Sequence, residues 1–337
     1  MSNRTGEGRA VFDRMARVLG VLALLASALL WSAPAGAVSV VVSPASLPLS
    51  PSGPYSAARD KPVGTVIATS SAIISATDIS GTCVVTALIL SGAAANGDIF
   101  TTGVAGLGVK LYYYNGLTRV QLAPNIQVSV AATLSGPGTV STVEAELVVT
   151  GQVSSGTLNA LPSVNLTFLA AGAGCGVVTL ADKTLTVTAG NGTVTASSCV
   201  VTSPAIAVGL PTVSTQQLDA AGKTAGLTQF TIPLNCSSVT ADVYVTLTDA
   251  TDASNTTSLL TLQPAATAGN VKLQILRNNG TAVSYGPDAA TAGNTNQFFV
   301  GPASTVSNIP LGVQYYSTGV ATAGSVHAAA TFTMSYQ

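Results

Sequence analysis

Few residues of this chain have the chemistry for catalysis. His327 is its single histidine, and it stands three residues after Gly324 in a segment that alternates like a β-strand. A Ser-His-Asp triad would have to recruit it, so a secreted hydrolase is an alternative only if a carboxylate lies beside His327. Asp249 and Asp252 share one turn, but a calcium loop needs several oxygen ligands at tight spacing. We therefore expect no enzyme, no cofactor and no metal site.

The four cysteines indicate disulfides rather than a metal centre, because the chain carries an export signal. Four cysteines allow three pairings. The simplest keeps each bridge within one half of the chain, Cys83 with Cys175 and Cys199 with Cys236. A zinc site is the weaker interpretation, since no C-x-x-C pair occurs and His327 is far from every cysteine.

Aromatic side chains offer chemistry for recognition. Tyr112, Tyr113 and Tyr114 are consecutive, and alternation from the apolar Val109 and Leu111 places Tyr112 and Tyr114 on the outer face. Aromatic faces stack on sugar rings and supply rigid contact area. Tyr55 and Arg59 lie in a Pro-rich opening that reads as loops. We expect four exposed residues to contact a receptor: Tyr112, Tyr114, Tyr55 and Arg59. The alternative for the two strand tyrosines is an ordinary strand surface, and the alternative for Tyr55 and Arg59 is a solvated loop.

A repeated β unit must position these residues. Residues 147–168 and 315–336 share Thr-Gly, four residues, Gly and then an alternating apolar run, and residues 108–116 resemble residues 270–280. The first copy continues into another strand-like run at 184–188, which we expect to pair with the strand at 164–168. The second copy stops at Gln337, so the strand at 331–336 should border an open apolar groove lined by Phe332, Met334 and Tyr336.

The N-terminus has the pattern of a secretory signal peptide, residues 1–37. Arginines precede a short apolar run, and small residues at Ala35 and Ala37 predict cleavage before Val38. Met15 is an alternative start. The run is shorter than the roughly 20 residues of a membrane span. Only 7% of the residues are charged and the net charge is −1, which argues against a nucleic-acid partner.

The remaining length suits two domains. We predict unit one at residues 38–189, a linker at 190–192 and unit two at 193–337. Thr and Val dominate short runs between turn residues, which favours strands over helices. The expected fold is all-β, with two tandem immunoglobulin-like β-sandwich domains. Strand candidates of unit two include residues 206–208, 230–234, 243–248, 271–276 and 331–336.

These motifs resemble those of chaperone–usher fimbriae. Unit two resembles the fimbrial pilin domain in Cys199 before LPTV, FTIPLNC, NVKLQILRNNG and LGVQYYSTGVATAGSVHAAATFTMSYQ. Unit one looks like the adhesin domain of type 1 pilus-like tip proteins in RDKPVGTV and FTTGVAGLGVKLYY. The resemblance implies that unit two is an incomplete pilin fold lacking its last strand. A periplasmic chaperone would lend that strand, and the next fimbrial subunit would replace it at an outer-membrane usher.

The resemblance also implies a function. A proline-broken start, VSVVVSPASLPLSP, is a poor strand for donation to a neighbour, so we favour the pilus tip over an internal position. The expected protein is a fimbrial tip adhesin, exported through the periplasm to the cell surface. Its unit one would bind a host glycan or matrix receptor, and its unit two would join the pilus by donor-strand complementation. The alternative is a structural minor pilin without a receptor.

Overall fold

The structure is a computed structural model that describes residues 37–92, 95–176, 182–236, 239 and 241–337. The predicted signal peptide lies outside the described residues except for Ala37. Within the described part the fold is all-β, and its one helical element is a 3-10 turn at Thr215–Leu218. No helix in that part is long and apolar enough to cross a membrane.

Among the described residues, fifteen strands precede residue 198. They are β1 (Ser39–Ser43), β2 (Leu47–Pro48), β3 (Tyr55–Ala58), β4 (Val66–Thr77), β5 (Cys83–Gly92), β6 (Ala95–Asn96), β7 (Ile99–Thr101), β8 (Leu107–Tyr114), β9 (Arg119–Leu122), β10 (Gln127–Leu134), β11 (Gly138–Val149), β12 (Gly156–Thr157), β13 (Ser163–Ala171), β14 (Lys183–Thr188) and β15 (Thr193–Ser197).

Two sheets of these strands face each other across one apolar core. The first has the order β1-β4-β11-β8-β7-β6 with β9 beside β8, and the second has the order β10-β5-β13-β14-β2. Alternation explains the burial: along β5, Cys83, Val85, Ala87 and Ile89 are fully buried while the residues between them are more exposed. The core formed between the sheets extends from Val38 to Val194. This is a β-sandwich, as predicted for unit one.

Seven strands follow in the described part of the second half, and they surround a second core. They are β16 (Val200–Val201), β17 (Thr224–Asn235), β18 (Asp242–Asp249), β19 (Gly269–Arg277), β20 (Phe298–Pro302), β21 (Asn308–Thr322) and β22 (Ala330–Tyr336). Their sheets have the orders β16-β17-β21-β19 and β20-β18-β22. The second core runs from Cys199 to Tyr336 and takes in Ala58 from the first half. The prediction of two tandem all-β sandwiches is confirmed.

The two halves share one strand plan. In the first half β11 lies between β4 and β8, and in the second β21 lies between β17 and β19. On the opposite sheets, β5 lies between β10 and β13, and β18 lies between β20 and β22. The repeated sequence therefore corresponds to β11 with β13 and to β21 with β22. In the first half β14 pairs antiparallel with β13, which confirms the predicted pairing of residues 184–188 with residues 164–168.

Both disulfides have the pairing that keeps each bridge within one half. Cys83 is bonded to Cys175, and Cys199 is bonded to Cys236. The first bridge joins the start of β5 to the segment after β13. The second joins the residues next to the Val200–Asn235 pair, at one end of the antiparallel β16–β17 pairing. Each bridge ties neighbouring strands of its own sandwich.

Two local expectations differ from the structure. Residues 206–208 were expected to form a strand, but they have no strand pairing. An extended segment becomes a strand only when a neighbour accepts its backbone hydrogen bonds. Residues 193–197, expected to begin unit two, form β15, which pairs in parallel with β3 and antiparallel with β12. The chain thus passes to the second core after Ser197.

Candidate functional site

An open apolar groove runs along one side of the second sandwich. Its volume is about 360 Å³. One wall is the segment of residues 204–210, which contributes Ile206, Val208 and Leu210; the other is the start of β22 with the preceding alanines, which contributes Phe332. The floor consists of core side chains from both sheets: Phe230, Ile232, Leu247, Leu260, Leu273, Ile275, Leu311 and Val313. An exposed apolar cleft of this kind is typical of a binding site.

The groove lies where the first sandwich has β14. In the sheet order β20-β18-β22, β22 is at the edge, whereas its counterpart β13 is covered by β14. On its other side β14 pairs in parallel with β2. The segment of residues 204–210 thus stands where β2 would be, and the groove separates it from β22. Along the free side of an edge strand, alternate residues present backbone N–H and C=O groups that can pair with another strand.

The three predicted groove residues have different environments. Phe332 lines the groove. Met334 and Tyr336 are 7% and 2% exposed and belong to the second core. The Tyr336 hydroxyl donates a hydrogen bond to the carbonyl oxygen of Cys199 at 3.0 Å. Burial raises the pKa of Tyr336. The charge of Arg59 lowers this pKa and the charge of Asp60 raises it, so burial decides the direction.

Two of the expected receptor contacts are occupied by internal interactions. Tyr55 is 3% exposed, lies in β3 rather than a loop, and its hydroxyl donates to the carbonyl oxygen of Pro51. Burial raises the pKa of this phenol. Arg59 forms an ion pair with Asp60 at 2.9 Å, and its guanidinium carbon lies 5.2 Å from the ring centroid of Tyr336. Both residues therefore contact the protein itself.

Tyr112 is part of a charged surface that lies across β8, β9 and β11. The guanidinium carbon of Arg119 stacks 3.6 Å from the centroid of the Tyr112 ring. Its Nε donates to Glu144 Oε2 at 2.6 Å and its Nη2 donates to Glu146 Oε1 at 2.7 Å. A concavity of about 480 Å³ adjoins these charges and is lined also by Ser50 and residues 69–71. We call Tyr112, Arg119, Glu144 and Glu146 the tyrosine–arginine surface.

Electrostatics couple these four side chains. Burial and the charge of Glu146 raise the pKa of Tyr112, against an opposing effect of Arg119. Partial burial would lower the pKa of Arg119, but its hydrogen bonds to Glu144 and Glu146 outweigh this and raise it. Arg119 is 40% exposed in its side chain, and the two glutamates are 27% and 19% exposed. The charges are held in place and still reach solvent.

Arg119, Glu144 and Glu146 were not among the contacts predicted from the sequence. A signal was present: Glu144 and Glu146 are the only glutamates after residue 37, and their spacing of two puts them on one face of a strand. Tyr114, the remaining expected contact, is 37% exposed, and its hydroxyl donates to the carbonyl oxygen of Gly116 at 2.8 Å. It lies at the end of the same strand.

His327 and the turn that holds Asp249 are both among the described residues. His327 is exposed in the connection between β21 and β22, and no hydrogen bond of its ring to a described carboxylate is seen. No group of three or more potential metal ligands lies together in the described ranges. The carboxylate of Asp249, which is 1% exposed, accepts hydrogen bonds from the backbone amides of Thr251 and Thr261 and from the Asn255 side chain. It organises a turn.

Asp249 should make the stability of the second sandwich depend on pH. Burial would raise the pKa of Asp249, but the hydrogen bonds from Asn255, Thr261 and Thr251 outweigh it and lower the pKa below 3.8. A lowered pKa in the folded state stabilises the fold above the unfolded pKa of about 3.9, and this is lost as pH falls through the folded value. We expect Asp249→Asn to cost about 1–3 kcal/mol at pH 7 and less at pH 3, measured by urea unfolding.

The control for this prediction is Asp98→Asn, because Asp98 is exposed. It should leave the unfolding free energy unchanged within about 0.5 kcal/mol at both pH values. Equal losses for Asp249→Asn at pH 7 and pH 3 would contradict the role of the ionised carboxylate.

Comparison with known proteins places the second half within a known family. The family model described as "Fimbrial protein" matches residues 189–337. The F17 fimbrial protein of Escherichia coli is 36% identical over 154 residues, which are 44% of this chain and 84% of that protein. The F17c-G fimbrial adhesin of Escherichia coli is 37% identical over 147 residues, or 42% of this chain. The chain spans only 43% of the length of that adhesin.

Among solved structures, the CupB6 tip adhesin from Pseudomonas aeruginosa aligns with 88% of this chain and 93% of its own. The TM-score is 0.37 and the sequence identity is 15%.

Proposed function

Because this chain belongs to the fimbrial protein family, we propose that it is a non-enzymatic fimbrial tip adhesin. Residues 38–197 form its receptor-binding domain, and residues 198–337 form a pilin domain that joins it to the fibre. The observation that carries the proposal is the groove beside β22, at the position that β14 fills in the first sandwich. A domain that leaves this position open is built to receive a strand from another chain.

The position of β14 defines how the missing strand is bound. Since β14 is antiparallel to β13 and parallel to β2, the donated strand runs antiparallel to β22 and parallel to residues 204–210. Its apolar side chains contact Phe332, Ile206 and the groove floor. A periplasmic chaperone supplies this strand during export. At the outer-membrane usher the next fimbrial subunit then replaces it, which places the adhesin on the cell surface.

The beginning of the described chain supports a place at the tip. An internal subunit inserts its N-terminal arm into a neighbour. Here all five residues of β1 pair with β4, and Leu47 and Leu49 are 0% and 1% exposed in the first core. Withdrawing this segment would expose buried apolar side chains at a cost of about 1.5–3 kcal/mol each. The structural pilin alternative would be favoured by a protruding N-terminal arm, whereas residues 39–43 pair with β4.

The tyrosine–arginine surface is the receptor contact that the geometry favours. Three of its four residues carry charge, in a chain of which 7% is charged. Exposed ion pairs contribute only about 0–1 kcal/mol to stability, so the fold does not require them. The stacked Tyr112–Arg119 pair presents a rigid surface beside a concavity, and Tyr and Arg are the residues most often dominant in binding.

We expect a fragment of residues 38–197 to bind a component of a glycan and extracellular-matrix array and to inhibit adhesion of fimbriated cells. Tyr112→Ala should weaken binding at least about tenfold, equivalent to about 1.4 kcal/mol, because it removes the ring on which Arg119 stacks. Glu146→Gln should also weaken binding, because it removes the charge that Glu146 presents to Arg119. Calorimetry should show thermal midpoints close to that of the unsubstituted fragment.

A matched control is Tyr244→Ala, made in the full-length mature chain, because Tyr244 packs on Phe299 in the second sandwich. It should leave receptor binding unchanged. Array binding by residues 198–337 with a supplied strand, and none by residues 38–197, would overturn the assignment of recognition to the first domain.

A further inference from the structure

One end of the free edge of β22 is already covered by the first domain. The backbone N–H of Asp60 donates to the carbonyl oxygen of Tyr336 at 3.0 Å. In return the backbone N–H of Tyr336 donates to Asp60 Oδ2 at 3.1 Å. Asp60 thus imitates one residue of a neighbouring strand, with its carboxylate in place of a carbonyl oxygen. These bonds join residues 276 apart in the sequence.

The pairing of β22 with β18 shows which backbone groups point to the free edge. Gln337 and Asp242 exchange two hydrogen bonds of 3.0 Å each. In an antiparallel ladder such pairs alternate, so Gln337, Ser335, Thr333 and Thr331 direct their backbone groups toward β18. The backbone groups of Tyr336, Met334, Phe332 and Ala330 therefore point toward the groove side.

Arg59 and Asp60 occupy part of the free edge of β22. Both backbone groups of Tyr336 are bonded to Asp60, and Arg59 Nη2 lies 3.4 Å from the carbonyl oxygen of Met334. Ala330, Phe332 and the Met334 N–H remain for an incoming strand. The open edge is about five residues long.

The Asp60 carboxylate is firmly held in this position. Its side chain is 2% exposed, and it accepts hydrogen bonds from Gln152 Nε2 at 2.7 Å and from Arg59 Nη2 at 2.9 Å in addition to that from Tyr336. A buried carboxylate that loses a hydrogen-bond donor bears the full desolvation cost of that lost bond, whereas one added backbone hydrogen bond contributes only a smaller net stabilisation. A longer incoming strand would therefore lose more stabilisation by displacing the Asp60 carboxylate than it would gain from one more backbone hydrogen bond.

From this geometry we infer that Arg59 and Asp60 cap the groove and set the length and register of the strand that it accepts. The inference rests on the proposed strand donation. The accepted strand runs antiparallel to β22, so it begins opposite Met334, next to the cap, and ends opposite Ala330. Its partner class is an extended segment of another fimbrial subunit with about five paired residues, alternating apolar side chains and an N-terminal flank that turns away from the sheet.

The test uses the mature chain and synthetic fluorescent peptides. A five-residue peptide with valine at alternate positions and a polar C-terminal tail is compared with one carrying two more N-terminal residues, Val-Thr. For the native chain we expect the two dissociation constants to agree within about twofold, because the cap denies the extension a partner. For Asp60→Ala we expect the longer peptide to bind at least about tenfold more tightly than the shorter one.

Two further measurements keep the test decisive. Asp98→Ala, an exposed control, should behave as the native chain. Without any peptide, the Tyr336 amide of the native chain should exchange its hydrogen at least about tenfold more slowly than the Met334 amide, and Asp60→Ala should abolish this difference. Equal exchange of both amides in the native chain would overturn the cap even if the variant failed to fold.

The outcomes separate the cap from the function on which it rests. Tighter binding of the longer peptide by the native chain, by tenfold or more, would overturn the cap and leave strand donation standing. Failure of both peptides to bind the native chain and Asp60→Ala would overturn strand donation and, with it, the register.

Discussion

A strand added in cis after Gln337 will strongly stabilise the second sandwich. The added segment should follow a linker of about ten residues, comparable to the connection between β13 and β14, and should carry valine or leucine at alternate positions. It would bury the apolar groove side chains, each worth about 1.5–3 kcal/mol. We expect a net gain of at least about 3 kcal/mol, which raises the thermal midpoint of a domain of this size by about 6–12 °C. Differential calorimetry measures it.

The matched control carries serine in place of each valine or leucine at the same length. It has the same linker and backbone, so it separates burial of apolar side chains from a general effect of the extension, and we expect no gain from it. If the apolar and serine extensions gave the same midpoint, the groove would not be an acceptor site for a strand. The proposed attachment to the fibre would then lose its basis.

Loss of the first disulfide will be the most damaging covalent change. The Cys83–Cys175 bridge spans 92 residues and the Cys199–Cys236 bridge spans 37. On the chain-entropy model, loops of these lengths correspond to about 4–5 and 3–4 kcal/mol. We expect paired Cys→Ala substitutions at Cys83 and Cys175 to lower the unfolding free energy of the first sandwich by about 4–5 kcal/mol, because the longer loop is released. Both side chains are also nearly fully buried.

Each double variant serves as the control for the other. Hydrogen exchange in β5 reports on the first sandwich, and exchange in β18 reports on the second. Removal of Cys83–Cys175 should accelerate exchange in β5 far more than in β18, and removal of Cys199–Cys236 should do the reverse. Equal acceleration in both strands for either variant would show that the two sandwiches unfold as one unit, against the proposed division into two domains.

Local patterns accounted for much of this fold. Alternation along residues 109–114 placed Val109 and Leu111 in the core and Tyr114 on the outer face, because side-chain direction in a strand alternates with a backbone period of two. The internal repeat then indicated that residues 184–188 pair with the preceding strand. It also indicated that residues 331–336 lack that neighbour, since two copies of one sequence adopt one strand plan.

Predictions from the same patterns were wrong for segments whose structure depends on a strand that is distant in the sequence. Residues 206–208 are apolar and alternate, yet they are not a strand, because the groove separates them from β22. Tyr55 follows prolines and was expected in an exposed loop. It lies instead in β3, which pairs with residues nearly 140 positions later. Neither outcome can be deduced from a window of ten residues.

Alternation and turn residues along the chain were enough to predict the all-β class, cysteine placement favoured one of three pairings, and the repeat predicted that residues 184–188 pair with the preceding strand. Only the tertiary structure brought Arg119 to Glu144 and Glu146, and Asp60 to Tyr336. Those contacts join residues 25, 27 and 276 positions apart. They depend on which strands lie side by side and on how the two sandwiches meet, and a pattern with a period of two carries no information about either.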